Sequence, residues 1–209
     1  MVNRNASKAR RCPNCMVHKE NCFCEQISPI ELQTRISIIL YKKEKNLPSN
    51  TAHLATKALI NSNVFERGYR DLFVEEDFID STNYHPLYLF PSDDAVELTS
   101  ELISNIDKPI NLIVPDGSWR QAQKVHRRAA LLKDIPRVKL SLEEKTQYLL
   151  RRQKTEFGLC TFEAIAYALR EIEGGDINVK LMNYFKIFQD AHLVNRDIFV
   201  KEKKRTGYS

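Results

Sequence analysis

The sequence predicts an α/β fold in which helices flank a mainly parallel sheet, preceded by a small cysteine-rich segment. Short runs of β-branched and apolar residues alternate with longer segments of helical periodicity, an order typical of parallel sheets. Four of the five cysteines lie within residues 12–24, before the first predicted strand. The 209 residues, 43% of them hydrophobic, suffice to bury a core. We therefore expect residues 1–30 to form a basic lead-in with the cysteine segment and residues 31–209 to form one α/β catalytic domain.

Apolar runs of strand length predict the sheet. Such runs cover residues 35–41, 87–90, 110–114 and 138–140. Pro91 follows the second run directly and stops it, because proline cannot donate to a strand ladder. The third run leads straight into Pro115 and Asp116.

Helical periodicity separates these strands. Ser49 or Asn50 can cap the first helix, and Ser92 is expected to cap the second. The predicted helices follow residues 54–59, 95–103, 119–132 and 162–172, with a last one from residue 176 through 188. Gly174 and Gly175 are expected to end the fourth helix.

The charge balance is mildly basic. Lys and Arg number 32 against 27 Asp and Glu, a net charge of +5, which permits a polyanionic partner without demanding one. No apolar run approaches the roughly 20 residues that a membrane-spanning helix needs, so no membrane partner is expected. The polar start from Met1 to Arg11 lacks the apolar stretch of a secretory signal, so we expect a cytoplasmic protein with reduced thiols.

The glycine pattern disfavours two common classes of α/β enzyme. The chain has six glycines, and none of them forms a G-x-G-x-x-G turn after a strand. No G-x-x-x-x-G-K-S/T phosphate loop occurs either. An ordinary Rossmann dehydrogenase and a P-loop ATPase are therefore disfavoured.

Two close cysteine pairs predict a metal site. Six residues separate Cys12 and Cys15 from Cys22 and Cys24. Four thiolates so arranged can form the closed shell of a structural zinc ion. The alternative is a set of unligated or redox-active thiols. Cys160 stands alone before a helix, where a cysteine is more often a packed small hydrophobe than a nucleophile.

The end of the third predicted strand carries the candidate catalytic residue. Ligands of parallel α/β folds gather where strands end and helices begin, and Asp116 lies there. Its carboxylate could act as a general base or orient a nucleophile. The alternative is that it only caps the helix that begins near Ser118. Trp119, the one tryptophan of the chain, is expected to pack against the core on the apolar face of that helix.

The outer face of the same helix is basic. Arg120, Lys124, Arg127 and Arg128 lie within about 100° of one another around the axis, with no acid between residues 118 and 133. Such a stripe suits an RNA phosphate backbone, although a solvated helix surface is the alternative. Further cations follow at Lys145, Arg151, Arg152 and Lys154, and in the tail from Lys201 to Arg205, whose role stays open.

Several ordered motifs resemble those of the DTW-domain proteins, the tRNA-uridine aminocarboxypropyltransferases. The name-giving Asp-x-Thr-Trp motif is matched at Asp116, Ser118 and Trp119, with serine for the usual threonine. Further matches are the four clustered cysteines, the segment from Glu44 to Asn50-Thr51, Leu89-Phe90-Pro91-Ser92 with Asp94-Ala95, Gln121-Ala122 with Lys124, and Thr161-x-Glu163-Ala164. Together these motifs are more specific than any one alone. Tyr41 stands where many members have histidine, so no role for that histidine carries over.

The resemblance implies a fold related to the knotted SPOUT-type methyltransferases, which bind S-adenosylmethionine in loops at the carboxyl edge of the sheet. It also implies transfer of the 3-amino-3-carboxypropyl group to N3 of a tRNA uridine, with release of methylthioadenosine. On this basis Asp116, Ser118 and Trp119 are the expected catalytic residues. The expected contacts to S-adenosylmethionine are Leu89, Phe90, Pro91, Ser92, Leu140, Thr161 and Glu163.

Alternatives stay open at this point. Thr161 could favour the methionine carboxylate through the positive end of its helix, or act only as an N-cap. A methyltransferase on the same fold would use the same donor on RNA, and only its by-product would differ. A non-catalytic RNA-binding adaptor with a zinc module would need neither Asp-x-Ser-Trp nor Thr-x-Glu-Ala. The oligomeric state is open as well.

Overall fold

The computed structural model describes residues 10–67, 79–141, 146–150 and 158–205, with side chains of the last helix described as far as residue 194. The basic lead-in up to residue 9 lies outside the described residues, as do the predicted cations Lys145, Arg151, Arg152 and Lys154. The tail from Lys201 to Arg205 is helical in its backbone. The sheet and the cysteine segment lie within the described ranges.

Within these ranges, six strands form one sheet in the order β2-β1-β5-β3-β6-β4, and all neighbours pair in parallel. The strands are β1 Arg35–Tyr41, β2 Ser62–Arg67, β3 His85–Leu89, β4 Val96–Glu97, β5 Ile110–Asp116 and β6 Arg137–Lys139. The predicted α/β class and the mainly parallel sheet are confirmed. The knot implied by the family resemblance stays a prediction.

Helices cover both faces of the sheet. They are α1 Ala52–Ala58, α2 Ser100–Ser104, α3 Trp119–Arg128, α4 Thr161–Glu173 and α5 Ile177–Arg205, with 3-10 turns at Lys19–Asn21, Cys24–Gln26, Lys42–Glu44 and Ala130–Lys133. The predicted helix over residues 119–132 is divided, because Ala129 leaves the helical conformation with φ −82° and ψ 101°. Gly174 ends α4 as predicted, at a φ of 68° that favours glycine. None of the helices described has the length and hydropathy of a membrane span.

The second predicted helix is wrong at its start. Ser92 does not begin a helix, because residues 96–97 form β4 and pair with β6. The short α2 begins after Thr99, whose hydroxyl oxygen accepts a hydrogen bond from the Leu102 amide at 3.2 Å. Pairing with a neighbouring strand therefore overrides the local helical pattern.

The edge strand β2 is absent from the sequence-based prediction because it lacks a buried apolar run. It pairs with β1 from Ser62 to Arg67, and none of its residues is fully buried. An edge strand of this kind carries little of the hydrophobic signal by which strands are recognised.

Alternate residues of β1 serve two hydrophobic cores, one on each face of the sheet. Ile36, Ile38 and Leu40 belong to the larger core, which also contains buried residues of α1, α4 and α5. Ile39 belongs to the smaller core beneath α3. Phe23 of the cysteine segment is 2% exposed and is part of the larger core. The cysteine segment thus shares its core with the α/β part of the chain.

The parallel strands bring several loops to one edge of the sheet. Leu40, near the end of β1, pairs with Asp116 at the end of β5. α4 begins at this carboxyl edge with Thr161 and returns to the opposite edge. There the Thr34 amide, just before β1, donates a hydrogen bond to Glu173 at 2.8 Å. The loop after β1, the turn after β5 and the start of α4 therefore meet, as expected for a ligand site in a parallel fold.

Candidate active site

Asp116 lies at the meeting point of these segments. It is the last residue of β5 and is 4% exposed. The Asn50 side-chain amide donates a hydrogen bond to Oδ2 at 2.6 Å, and the Thr161 hydroxyl donates one to Oδ1 at 2.5 Å. Hydrogen bonds to a carboxylate are stronger than neutral ones. Three segments that are distant in sequence are thus joined at one charged side chain.

Asn50 has a fixed side-chain orientation. It is 2% exposed, and its Oδ1 accepts a hydrogen bond from the Ala52 amide at 2.9 Å, at the start of α1. Its amide nitrogen therefore faces Asp116. Thr51 is the N-cap of α1, so the expectation that Ser49 or Asn50 holds that position is wrong, although the Asn50 side chain does bind the amide of the first helical residue. Sequence reasoning did not assign Asn50 to the site, although the family match at Asn50-Thr51 contained the signal.

Two N-cap roles that the sequence suggested at this edge, Thr161 for α4 and Asp116 for α3, are wrong. Cys160 is the N-cap of α4, so Thr161 is the first helical residue and its hydroxyl donates to Asp116 instead. Ser118 is the N-cap of α3, so Asp116 does not hold that position. The start of α4 also places a partial positive charge beside the carboxylate.

The turn from β5 into α3 depends on Gly117. Its φ is 146°, and a Cβ atom there would lie 2.8 Å from Oε1 of Gln121. That oxygen accepts a hydrogen bond from the Ser118 amide at 2.6 Å, which closes the first turn of α3. Ser118 itself is exposed. The glycine thus lets a buried carboxylate and an exposed helix start follow one another within two residues.

Trp119 lies at the surface, so the expectation that it packs into the core is wrong. It is 55% exposed, because the first residue of α3 lies at the rim of the sheet. Its ring stacks on Phe90 with 5.5 Å between centroids and 5° between planes. Phe90 also stacks against His126 at 4.3 Å, and burial lowers the pKa of His126. The Leu-Phe-Pro-Ser and Asp-Gly-Ser-Trp segments therefore share one aromatic stack.

Glu163 is a second buried carboxylate near the start of α4. It is fully buried and accepts three described hydrogen bonds. The donors are the Thr146 hydroxyl at 2.8 Å, the Gln147 amide at 2.6 Å and the Cys160 amide at 2.8 Å. Glu163 therefore ties the N-terminus of its own helix to the loop of residues 146–150.

Cys160 is a packed core residue. It is 8% exposed and belongs to the larger core. Burial raises the pKa of its thiol well above the ordinary value, so the reactive thiolate is disfavoured. The interpretation of Cys160 as a small hydrophobe is confirmed.

The residues predicted to contact S-adenosylmethionine differ in their exposure and surroundings. Leu89 and Phe90 are buried, Ser92 is half-buried and Pro91 is exposed. Leu140 is half-buried and contributes to a cavity of about 90 Å³. The residues that line this cavity are Glu97, Leu98, Thr99, Leu140, Ser141, Tyr167, Arg170 and Glu171. Leu140 is thus grouped with side chains other than those that contact Asp116.

The predicted basic stripe lies on the outer face of α3. Arg120, Arg127 and Arg128 are exposed and Lys124 is half-buried. Val125, on the inner face of the helix, is buried. These cations form a positive surface on the helix that begins with the exposed tryptophan. Such a surface is suited to contact phosphates.

The four predicted metal ligands lie together. The Sγ atoms of Cys12, Cys15, Cys22 and Cys24 all lie within 4.8 Å of one another. All four cysteines are free thiols rather than disulfides. Met16, at a φ of 60°, makes a tight turn in which its amide donates to the Cys12 carbonyl at 2.9 Å. This arrangement of donors could hold one metal ion in a shell of four sulfurs.

The electrostatics of the cluster suit a bound cation. Burial raises the Cys12 pKa, but backbone hydrogen bonds from Cys15 and Asn14 outweigh it and lower that pKa to about 6. Burial raises the pKa of Cys15 to about 12 and also raises that of Cys24. The thiolate is the form that binds metal, so a bound cation would favour ionisation in a cluster where burial opposes it at Cys15 and Cys24.

Sequence comparison connects the chain to one protein family. The profile of the DTW domain matches residues 9–193. The chain is similar to tRNA-uridine aminocarboxypropyltransferase 2 of Macaca fascicularis, with 27% identity over 173 residues, 80% of this chain and 58% of the relative. The Mus musculus protein of the same name is 25% identical over 174 residues, 81% of this chain and 58% of the relative. The chain therefore spans less than two thirds of these mammalian relatives.

A relative of the same name in Drosophila melanogaster is 26% identical over 178 residues, 80% of this chain and 68% of the relative. Among solved structures, a similar fold occurs in the SAM-dependent rRNA:acp-transferase Tsr3 from Vulcanisaeta distributa. The TM-score is 0.51 at 18% identity, covering 83% of this chain and 84% of that one. At this identity the likeness shows a shared fold and no more.

Proposed function

The chain belongs to the DTW domain family, and from that premise we propose that it is an aminocarboxypropyltransferase acting on tRNA. The reaction moves the 3-amino-3-carboxypropyl group of S-adenosylmethionine to N3 of a uridine and releases methylthioadenosine. The relatives named tRNA-uridine aminocarboxypropyltransferase 2 support this substrate class.

The convergence of three family-matched segments on Asp116 carries the proposal. Asn50 comes from the segment that ends in Asn-Thr, Asp116 from Asp-x-Ser-Trp and Thr161 from Thr-x-Glu-Ala. Both Asn50 and Thr161 donate hydrogen bonds to the Asp116 carboxylate. Burying a charge is costly unless it is paired and hydrogen-bonded. A buried, hydrogen-bonded carboxylate at the end of a strand contributes little to stability. A site of proton transfer needs one.

Asp116 is the residue we assign to the uridine. When bound, S-adenosylmethionine supplies a sulfonium whose methionine γ-carbon is activated toward nucleophiles. The weakly acidic N3–H of uridine must lose its proton before N3 can form the new bond. We assign Asp116 as the acceptor of that N3–H. Each carboxylate oxygen has two lone pairs, so a hydrogen bond from Asn50 or Thr161 does not by itself prevent the same oxygen from accepting a second one.

Other residues are assigned to hold the donor and shape the site. We propose that the donor contacts Leu140, Thr161 and the Leu-Phe-Pro-Ser segment, which is Leu89, Phe90, Pro91 and Ser92. Trp119 walls the site from the side of α3, and Ser118 fixes the start of that helix. Glu163 is reassigned from donor contact to positioning, because it is fully buried and its carboxylate accepts hydrogen bonds from within the protein.

The basic stripe is the surface we assign to RNA. We propose that Arg120, Lys124, Arg127 and Arg128 hold phosphates that flank the target. Contacts of this kind position the substrate without reading its sequence. The target uridine must leave its base stack to reach Asp116, as in other enzymes that modify bases.

Zinc is the metal we propose for Cys12, Cys15, Cys22 and Cys24. Four sulfur ligands leave no open coordination position, so the ion has a structural role. The cluster is connected to the rest of the chain through Phe23, whose ring lies 5.8 Å from that of Phe188 on α5. We expect metal removal to loosen this packing while leaving the residues around Asp116 in place.

Nucleoside mass spectrometry of tRNA tests the proposal in cells. We expect a uridine that carries the aminocarboxypropyl group in cells with the protein and unmodified uridine at that position in cells without it. Methylated uridine in its place would support the rival methyltransferase. Calorimetry separates the remaining rival, because an RNA-binding adaptor would not bind S-adenosylmethionine.

A further inference from the structure

We infer that Asn50 is a positioning residue that holds the Asp116 carboxylate in the orientation needed to meet the uridine N3–H. The inference rests on the proposed function for the identity of the reaction. It gives Asn50 a second task beside its contact with the Ala52 amide. Both tasks use the same side-chain amide, one through its oxygen and one through its nitrogen.

A flip of the Asn50 side-chain amide would break both of its hydrogen bonds. Its Oδ1 accepts from the Ala52 amide at 2.9 Å, and its Nδ2 donates to Asp116 at 2.6 Å. A flipped amide would leave the Ala52 amide without this acceptor and would set an oxygen against a carboxylate oxygen. An unpaired buried amide costs about 1–3 kcal/mol. The helix start of α1 therefore selects the orientation that serves Asp116.

The backbone that carries Asn50 is also held in place. The Asn50 amide donates to the Leu47 carbonyl at 2.9 Å. On the neighbouring residue, the Ser49 carbonyl accepts a hydrogen bond from the Tyr148 hydroxyl at 2.5 Å. The Asn50 side-chain amide is thus fixed before any substrate binds, and catalysis by orientation needs such an arrangement.

Two donors on different oxygens fix the plane of the carboxylate. Thr161 binds Oδ1 and Asn50 binds Oδ2. Rotation of the Asp116 carboxylate would break both hydrogen bonds in a site where Asn50 is 2% exposed and Asp116 is 4% exposed. Loss of Asn50 would remove the donor to Oδ2 and leave the orientation of the carboxylate less firmly fixed.

A second buried asparagine, Asn111, forms a hydrogen bond between β1 and β5 and allows a matched comparison with Asn50. Asn111, at the opposite end of β5, is fully buried and accepts a hydrogen bond from the Ser37 hydroxyl of β1 at 2.8 Å. Asn111 and Asn50 are therefore both buried asparagines with a side-chain hydrogen bond in the β1–β5 region, that of Asn111 to a hydroxyl and that of Asn50 to a carboxylate. Asn111 supplies the control for the cost of losing a buried amide.

The first experiment compares Asn50→Ser with Asn111→Ser. Serine can still accept from the Ala52 amide, but its shorter side chain does not reach Asp116. We expect kcat of Asn50→Ser to fall by about 100-fold with little change in KM for S-adenosylmethionine, since misorientation of a reacting group by about 1 Å costs that much. Asn111→Ser should lose stability and keep its kcat. Equal kcat values for the two variants would overturn the inference.

The second experiment exchanges the pair as Asn50→Asp with Asp116→Asn. All three side-chain hydrogen bonds of the pair can form in the double variant, because an amide at 116 can donate to the new carboxylate and accept from Thr161, and the carboxylate at 50 can still accept from the Ala52 amide. We expect thermal stability near that of the wild type and no recovery of transfer, because the charge has moved to residue 50. Recovery of wild-type activity would show that the pair is only structural.

A spectroscopic test separates this inference from the proposed function. The side-chain amide protons of Asn50 should be shifted downfield and protected from exchange in NMR spectra of the labelled wild-type protein. Asp116→Asn should reduce that shift, because the acceptor of the Asn50 amide is then a neutral carbonyl instead of a carboxylate. If the protein transfers nothing yet shows this signal, the proposed reaction is wrong and the contact stands. If it transfers the group without this signal, the positioning role is wrong.

Discussion

Two buried carboxylates lie near the start of α4, and they differ in what donates to them. Asp116 is 4% exposed and receives hydrogen bonds from the side chains of Asn50 and Thr161. Glu163 is fully buried and receives hydrogen bonds from two backbone amides and one hydroxyl. One of those amides, that of Cys160, belongs to the N-terminus of Glu163's own helix. Glu163 thus completes a helix start, whereas Asp116 does not.

Burial alone does not distinguish the two carboxylates, whereas their hydrogen-bond donors do. Backbone amides must be satisfied in any fold, so a carboxylate that serves them is explained by structure. Side-chain donors that come from distant loops are not needed by the backbone. Their convergence on Asp116 at the carboxyl edge of the sheet requires another reason, and the proposed proton acceptor supplies one.

The largest expected effect comes from Asp116→Asn. An amide at this position can keep both neighbours, because the Thr161 hydroxyl can accept as well as donate. Transfer should fall by about 1,000-fold, within the range of a lost general base, while S-adenosylmethionine binding by calorimetry stays unchanged. Wild-type transfer by this variant would remove the distinction between the two carboxylates.

Glu163→Gln should act on stability instead. The NH2 group of glutamine would face a backbone N–H that now donates to the carboxylate. Two donors would then meet, and one buried N–H would lose its acceptor. We expect the free energy of unfolding to fall by about 3 kcal/mol, as for a lost hydrogen bond to a charged group. Denaturant titration measures this change. Activity per folded molecule should persist, and a selective loss of kcat in a stable variant would contradict the assignment.

Thr161→Val should weaken the Asp116 site without removing it. Valine has the shape of threonine but cannot donate to the carboxylate, so kcat should fall by about tenfold, the worth of one such hydrogen bond. Thr161→Ser is the matched control and should keep most of the rate. If valine and serine behave alike, the hydrogen bond from Thr161 does not hold Asp116 during the reaction.

Charge reversal on α3 should affect neither carboxylate. Arg127→Glu with Arg128→Glu is expected to weaken tRNA binding by about tenfold and to reduce its salt dependence, because fewer counterions are released. Filter binding over a range of salt concentrations measures both quantities. The rate at saturating tRNA should stay the same. Unchanged affinity would make this stripe an ordinary solvated surface.

Much of the fold followed from local pattern, because its central strands are buried on both faces. β1 has the bounds that its apolar run predicts, and β5 ends at Asp116, where the candidate residue was placed. The cysteine spacing likewise predicts a cluster that the structure confirms. In each case the signal is contained in a short stretch of sequence.

The features that sequence reasoning missed depend on contacts between distant segments. β4 forms because residues 96–97 pair with β6, against a local helical pattern. Trp119 is exposed because α3 begins at the rim of the sheet, which periodicity within the helix cannot reveal. The link from Asn50 to Asp116 spans 66 residues. It exists only because β1 and β5 are neighbours in the sheet.

The most direct test of the account is a reaction with purified protein, S-adenosylmethionine and unmodified tRNA. We expect the wild type to release methylthioadenosine in equal amount with aminocarboxypropyl-uridine, and Asp116→Asn to bind S-adenosylmethionine but release methylthioadenosine about 1,000-fold more slowly. Release of S-adenosylhomocysteine with methylated uridine, or full turnover by Asp116→Asn, would contradict the account.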